Sequence, residues 1–388
     1  MKKLWLVLAV IFVSLFALTG CGNGGNDGSG DKTSLKIGLN FELTGDYQEY
    51  GNAEYEGVML AIKLAQEAGD YPFEIDVVKL DNKSTLEETT SVVTKLMTQE
   101  KVGAVLGPAV SGLTIASYAI AEQYQVPLIS PSATNDVATL KDDGSVYEYA
   151  FRTCFIDSYQ GTAMAVFAKE NLTATKAIII SDAGSDYAKG LAMSFKDRFI
   201  ADGGVIVAEE SYQERDTDFS TILTKIQGMD FDVIYIAGYY NEVGLIIRQA
   251  RDLGIDVPIT GGDGFDSPTL IDLAGADALN DVYFTTAYTT IDQSETVKAF
   301  VEAYNAEYGK DPSMFVALGF DTANLLLQAA KEAGATDAAS IQQALINMES
   351  FTGVTGTFSF DENHNPSKTV FIVLLIDGVQ AEATEVRP

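Results

Sequence analysis

The segment PLISPSATND (residues 127–136) runs from a short apolar strand, Pro127 to Ser130, into a knot of small hydroxyls. Ser130, Ser132 and Thr134 occupy alternate positions there, with Ala133 between the last two. A second segment, PAVSGLT (108–114), places Ser111 just after the expected strand Ala104–Gly107. Both offer hydroxyls beside backbone N–H groups at an expected helix start, an arrangement suited to a carboxylate. The plainer alternative is that Ser111 and Thr134 are N-caps, each contributing ~1 kcal/mol. Two more segments, GYYNEVG (238–244) and GDGFDS (262–267), put Tyr239, Tyr240 and Asp263 after strands. Asp263 is an acid that could meet a positive group, although Gly-Gly-Asp-Gly is also ordinary turn chemistry. Tyr239 and Tyr240 are consecutive, so at a strand end they point opposite ways and one of them can face a cleft. Asp157, in FIDSYQG, caps the next expected helix and borders the same region.

Catalytic arrangements are poorly supplied. The chain has one His, His364, in DENHNP, which reads as a hairpin turn remote from these strand ends. A Ser-His-Asp site would need that His beside the hydroxyls. The sequence contains no GxSxG, GxxxxGK[ST], CxxC or HExxH pattern. Asp157 and Asp263 could in principle pair as glycosidase carboxylates, but both belong to capping and turn sequences. No enzyme, no cofactor and no metal site is expected.

The elements that must position these residues alternate along the chain. The apolar runs predict strands at Ile37–Phe41, Phe73–Leu80, Ala104–Gly107 and Pro127–Ser130, separated by helices at Asn52–Ala68, Leu86–Thr98 and Gly112–Gln123. A second series starts after residue 153, with helices at Gln160–Lys169, Tyr187–Ala201, Phe219–Gln227 and Glu242–Asp252. Its strands are Ala177–Ser181, Val205–Glu209, Val233–Ala237 and Pro258–Gly261. Alternation of this kind predicts parallel βαβ units, and two series predict two doubly wound α/β lobes. Beyond residue 281 the chain offers a strand, helices near 293–308, 316–333 and 338–348, and a closing hairpin. These are too few strands for a third lobe, so they complete the first two. Ligands in doubly wound sheets lie outside the carboxyl ends of the strands, where all four segments fall. Phe151 and Phe155 are expected in the core.

Composition narrows the partners. Against 25 Lys and Arg stand 55 Asp and Glu, a formal net charge of −30. Such a surface repels phosphate backbones, so nucleic acid is excluded as a partner. Lys2 and Lys3 precede an apolar run, Leu4 to Leu18, which reads as a signal peptide over residues 1–20. It ends Leu18-Thr19-Gly20-Cys21, similar to the bacterial lipobox, and GNGGNDGSGDK follows as a flexible tether through residue 33. Acyl chains on Cys21 would anchor the protein to the outer face of the cell membrane, at ~0.8 kcal/mol per buried CH₂. Cys154 is then the only other Cys, which leaves no internal disulfide or cysteine metal site.

Six segments, in order, carry a resemblance: IGLNFELTGDYQEYGNAEYEGVMLAI, GAVLGPAVSG, VPLISPSATND, FRTCFIDSYQG, YYNEVGLIIRQARDLGI and GTFSFDENHNP. Over about residues 34–380 the chain resembles the extracytoplasmic solute-binding proteins of branched-chain amino acid (Leu/Ile/Val) ABC transporters, the type I periplasmic-binding-protein fold. The resemblance implies two lobes joined by three crossover strands near Thr153, Thr285 and Phe351–Thr355. Lobe one would hold 34–153 and 286–352, and lobe two 154–285 and 353–388. It further implies that a ligand is trapped as the lobes close and is passed to a permease, with the receptor a monomer. By this match Ser111 and Thr134 hold an α-carboxylate, the carbonyl of Ser132 meets the α-ammonium, and Ala133 belongs to the same loop. Asp263 supplies the acid for the ammonium, Tyr187 and Tyr239 supply rings and hydroxyls, and Tyr50 walls the side-chain pocket. Many relatives carry Glu where this chain has Asp263, which leaves the side-chain preference open. Amides, urea-like compounds and small carboxylates are the alternative ligands, and a membrane-coupled sensor is the alternative use.

Overall fold

From Ile37 onward the strand Ser34–Phe41 (β1) is almost wholly buried, as a parallel strand covered on both faces must be. The computed structural model describes residues 33–387, so Cys21, the expected signal peptide and the tether lie outside the described residues. After β1 come α1 (Gln48–Ala68), β2 (Glu74–Asp81), α2 (Leu86–Lys95), β3 (Ala104–Leu106), α3 (Ser111–Tyr124), β4 (Leu128–Ser130) and β5 (Ala150–Arg152). The five strands form one parallel sheet in the order β2-β1-β3-β4-β5. One face is packed by α1 and the other by α2 and α3.

A second lobe repeats the plan. It contains α4 (Asp157–Glu170), β6 (Lys176–Asp182), α5 (Asp186–Ala201), β7 (Val205–Tyr212), α6 (Ser220–Gln227), β8 (Val233–Ala237), α7 (Tyr240–Asp252), β9 (Ile259–Gly261), α8 (Pro268–Ala274) and β10 (Val282–Thr286). The remaining elements are α9 (Glu295–Tyr308), α10 (Met314–Ala333), α11 (Ala338–Ile346), β11 (Phe351–Gly353), β12 (Gly356–Phe358), β13 (Val370–Ile376) and β14 (Val379–Val386). The second sheet runs β14-β13-β10-β9-β8-β6-β7, with β13 and β14 antiparallel. In each parallel part the strand order reverses once, between β1 and β3 and between β6 and β8. Those two switch points are where a doubly wound sheet opens a crevice.

The late helices do complete the first lobe. Leu325, Leu326 and Ala329 of α10 and Ile341 of α11 share a core with Ile37, Leu39 and Val58. Helix α10 lies so close on α1 that a Cβ at Gly57 would stand 2.0 Å from the Val316 carbonyl, so only glycine permits the approach.

Several expectations shift. The hairpin β11–β12 pairs within itself and buries Phe351 and Phe358 in the first lobe's core. The third passage between sheets therefore lies at 359–369, later than the expected Phe351–Thr355, because those two aromatics bind the hairpin to α10's side. PSATN opens no helix: after β4 the chain turns and forms a bridge between Leu140 and Val146. Ser111 is not a cap either, since Val110 holds that position and makes no side-chain cap bond. Asp157 likewise is the first helical residue of α4, behind Ile156. Helix α2 stops three residues short of Thr98 and continues as a wider turn, Leu96–Glu100. No described helix is long and apolar enough to cross a membrane.

Candidate functional site

The loops at the two switch points face each other across a narrow, partly open cavity. Of the residues singled out in the sequence, Tyr50, Ser132, Tyr187, Tyr239 and Asp263 line it. Ala109, Val110, Gly264 and Phe315 line it as well and were not anticipated.

The second lobe presents an acid on a short helical turn, Asp263–Phe265, immediately after β9. Tyr187, at the start of α5, donates its hydroxyl to Asp263 Oδ1 at 2.7 Å and accepts the Gly264 N–H at 2.9 Å. Gln160 on α4 donates from Nε2 to Asp263 Oδ1 at 3.0 Å and to Asp157 Oδ1 at 3.1 Å. Its Oε1 accepts the Asp263 N–H at 3.2 Å and the Thr285 hydroxyl at 2.6 Å, so the amide is held at both ends. Burial pushes the Asp263 carboxyl up to about 6, with the Tyr187 and Gln160 bonds opposing it. Burial also holds the Asp157 carboxyl well above its ordinary range, and the nearby Asp263 charge adds to this. Tyr187 and Tyr239 stack with centroids 4.7 Å apart. Tyr239 immediately precedes α7 and Tyr240 begins it, so the difference between them is set by a helix start and not by strand alternation. Tyr240 passes beyond the cavity and donates its hydroxyl to the Asp46 carbonyl at 2.6 Å.

The first lobe presents backbone and hydroxyls. Tyr50 on α1 packs against Phe315 at 4.3 Å and donates across the cleft to the Gly264 carbonyl at 2.6 Å. Ser111 is buried outside the lining and its Oγ accepts the Asn135 N–H at 3.2 Å. Ser130 is a strut: its hydroxyl donates to the Pro108 carbonyl at 2.6 Å and accepts the Ala133 N–H at 3.1 Å. Thr134 accepts the Asp157 N–H at 2.8 Å through its carbonyl, while its buried hydroxyl has no partner. Ala133 and Thr134 thus stand behind the lining with Ser111.

Three buried groups were missing from the sequence reading. Glu42, just after β1, accepts the N–H groups of Ala109 at 3.1 Å and Val110 at 3.3 Å. Those donors of the PAVSGLT segment, expected to serve a ligand, already serve a side chain. Burial pushes Glu42 up to about 7. Glu54 bonds the Ser132 hydroxyl, which also stands 3.0 Å from the Ala109 carbonyl. A hydroxyl has one proton to give. Burial holds the Glu54 carboxyl well up, so a protonated Glu54 donating to Ser132, and Ser132 to Ala109, accounts for both contacts and leaves Glu54 Oε2 without a partner. Phe315 starts α10, from the far end of the sequence, and only packing of α10 on α1 brings it here. The strand-end rule that found Asp263 would also have found Glu42; nothing local marks Glu54 or Phe315.

Contacts across the cleft continue around the rim. Arg215 pairs with Asp46 at 2.5 Å and 2.9 Å, and the Tyr47 hydroxyl donates to Glu214 at 2.7 Å. Away from the cleft, His364 stacks on Phe151 at 4.4 Å with Nδ1 2.9 Å from the Ala150 carbonyl, and burial lowers its pKa. Among the described residues no group of three or more His, Cys, Asp or Glu is disposed to hold a metal.

Known proteins share both the sequence and the fold. The pattern of the periplasmic binding protein family matches residues 34–379. The branched-chain amino acid transporter substrate-binding protein LivJ of Streptococcus pneumoniae, solved with isoleucine, is 44% identical, with a TM-score of 0.87 over 92% of this chain and 100% of that one. The leucine-, isoleucine-, valine-, threonine- and alanine-binding protein of Pseudomonas aeruginosa is 28% identical over 85% of this chain and 86% of its own length. A solute-binding protein from R. palustris, solved with benzoate, is 25% identical, with a TM-score of 0.80 over 90% of this chain and 95% of that one. This chain belongs to the periplasmic binding protein family, among the substrate-binding proteins of branched-chain amino acid transporters.

Proposed function

We propose that this chain is a high-affinity extracytoplasmic receptor that takes Leu, Ile or Val between two closing lobes and passes it to the permease of an ABC transporter. The observation that carries the reading is Asp263. Its buried carboxyl reaches the cavity, and its two side-chain partners both engage Oδ1. That leaves Oδ2 for an ammonium. A zwitterion taken out of water needs both charges met. By the family match the carboxylate would be met by the hydroxyl of Ser111 and the hydroxyl and N–H of Thr134, although both stand behind the lining of the cavity in this structure, and the ammonium also by the Ser132 carbonyl. Tyr50, Tyr187 and Tyr239, with Phe315, supply apolar wall. Closure would turn about the three chain passages, with 34–153 and the chain from 286 through the β11–β12 hairpin as one lobe. A lipid on Cys21 would keep the receptor at the outer face of the membrane, as a monomer.

A second reading, a small carboxylate lacking the ammonium, draws on the benzoate-bound relative and would make Asp263 dispensable. A thermal-shift panel of the twenty amino acids, urea, short amides and benzoate separates the two. The protein is first refolded once to remove carried-over ligand, and the shift is read by dye because Trp5, the sole Trp, lies in the expected signal peptide. A ligand at 100 times its Kd adds ~2.7 kcal/mol, which raises the melting point by a few degrees. Shifts with Leu, Ile and Val are expected. Silence from all amino acids and a response to benzoate would overturn the first reading.

A further inference from the structure

Among the described residues Arg152 heads the fully buried large side chains, and none of their ion pairs includes it. It ends β5, directly behind the PSATND loop. Its Nη1 donates to the carbonyls of Ala133 at 2.8 Å and Asn135 at 2.7 Å, and its Nε to Asn365 Oδ1 at 2.8 Å. Its Nη2 stands 3.4 Å from the Asp136 carbonyl. Arginine suits this place because it reaches the two loop carbonyls through Nη1 and Asn365 through Nε at the same time, a spread that the single nitrogen of a lysine does not cover. Carbonyl and amide dipoles solvate the cation, yet a buried charge without a counter-charge remains costly.

The loop converts that charge into something useful. The Ala133 carbonyl and the Thr134 N–H belong to one peptide unit, and in a trans peptide they point in opposite directions. The Ala133–Thr134 bond is not among the cis bonds. A guanidinium that fixes the carbonyl therefore turns the Thr134 N–H away from itself, and polarises it. The Thr134 hydroxyl beside it is buried, with no partner at bonding geometry, and lies near the Asp157 carboxyl.

We infer that Arg152 is a positioning residue whose missing counter-charge is the ligand's own carboxylate, reached through the Ala133–Thr134 peptide. This rests on the reading that the PSATND loop receives a carboxylate. It explains how the first lobe can bind an anion with no Lys or Arg in the lining, and why the cation stays shielded from bulk acidic surface. Arg152 also grips Asn365 in the third passage between the lobes, so the loop's aim and the passage are fixed by one group.

The test compares each ligand with its uncharged amide. Affinities of leucine and leucinamide, and of benzoate and benzamide, are measured by calorimetry on the full protein and on two variants. Arg152→Met removes the cation. Asn365→Asp keeps the arginine and its grip on the loop but sets a carboxylate against it. For both variants the preference for carboxylate over amide falls by about tenfold or more, the size of a fixed charge acting through partly buried surroundings. Asn365→Asp decides the matter if Arg152→Met does not fold. An unchanged preference in that variant, or equal losses for acid and amide, would make Arg152 a mechanical brace only and overturn the inference. If the wild type binds benzoate and not leucine, the amino-acid reading fails while the benzoate pair still judges Arg152. A wild type that binds none of the four overturns both.

Discussion

The two faces of the cleft solve different problems. The first lobe offers loop backbone and hydroxyls, and its acids, Glu42 and Glu54, are turned inward to hold that loop in place. The second lobe offers side chains, with one acid, Asp263, at the cavity and two donors, Tyr187 and Gln160, fixing its orientation. Backbone groups shared among several residues make the first face tolerant of change. A single carboxyl makes the second face fragile. Both faces keep acids out of water, and both raise their pKa, but Glu42 does structural duty while Asp263 is the acid we propose for the ligand.

The largest effect expected from breaking this contrast is at Asp263. Asp263→Ala leaves a buried ammonium unpaired and costs ~3–5 kcal/mol of amino-acid binding, with little change in melting temperature. Normal affinity by calorimetry would dismiss the ammonium role. The same acid predicts the pH profile: its carboxyl titrates at about 6, so affinity is flat above that and falls about tenfold per unit below it.

Glu42 predicts a pH effect on stability of comparable size and no direct effect on the ligand's positive end. Its folded value of about 7 exceeds its ordinary 4.5, so between those limits the native state holds a proton that the unfolded chain has lost. Stability therefore falls as pH rises through that window, by about 3 kcal/mol for this group. Glu42→Gln should flatten the curve of melting temperature against pH between 4.5 and 7; an unaltered slope would mean that other buried acids set it.

Ser111→Ala is expected to cost ~1–3 kcal/mol of binding, less than Asp263→Ala because neighbouring donors remain. No loss would leave Ser111 as a support for the Asn135 N–H alone. The smallest effect belongs to the rim. Arg215–Asp46 is the ion pair that joins the two lobes among the described residues, and it is largely solvated. Asp46→Asn should speed ligand release by no more than about fivefold, with the difference vanishing at high salt. Stopped-flow release rates that ignore both the substitution and salt would remove the pair from closure.

Much of the architecture was legible in local sequence. Alternating apolar runs and amphipathic helices predicted both doubly wound lobes, and the rule that ligands lie beyond strand ends led to Ser132, Tyr239 and Asp263, while Tyr187 came only from the family resemblance. Capping was misjudged at Ser111, Thr134 and Asp157, because a hydroxyl or acid near a helix start can equally well bond a neighbouring loop. The Ser111 hydroxyl does so here, accepting the Asn135 N–H. The hairpin at Phe351–Phe358 was assigned across a boundary because its two aromatics choose a core only when α10 is in place.

By itself the sequence determined which residues could meet a charge and on which side of each sheet they fall, since periodicity and turn chemistry are properties of neighbours in the chain. Only tertiary structure decided which of them share a cavity, that Glu42 takes the Ala109 and Val110 donors, that Phe315 joins Tyr50, and that Arg152 stands unpaired behind the loop. Those are pairings between residues tens to hundreds of positions apart. Burial and desolvation select them, and neither can be computed from spacing along the chain.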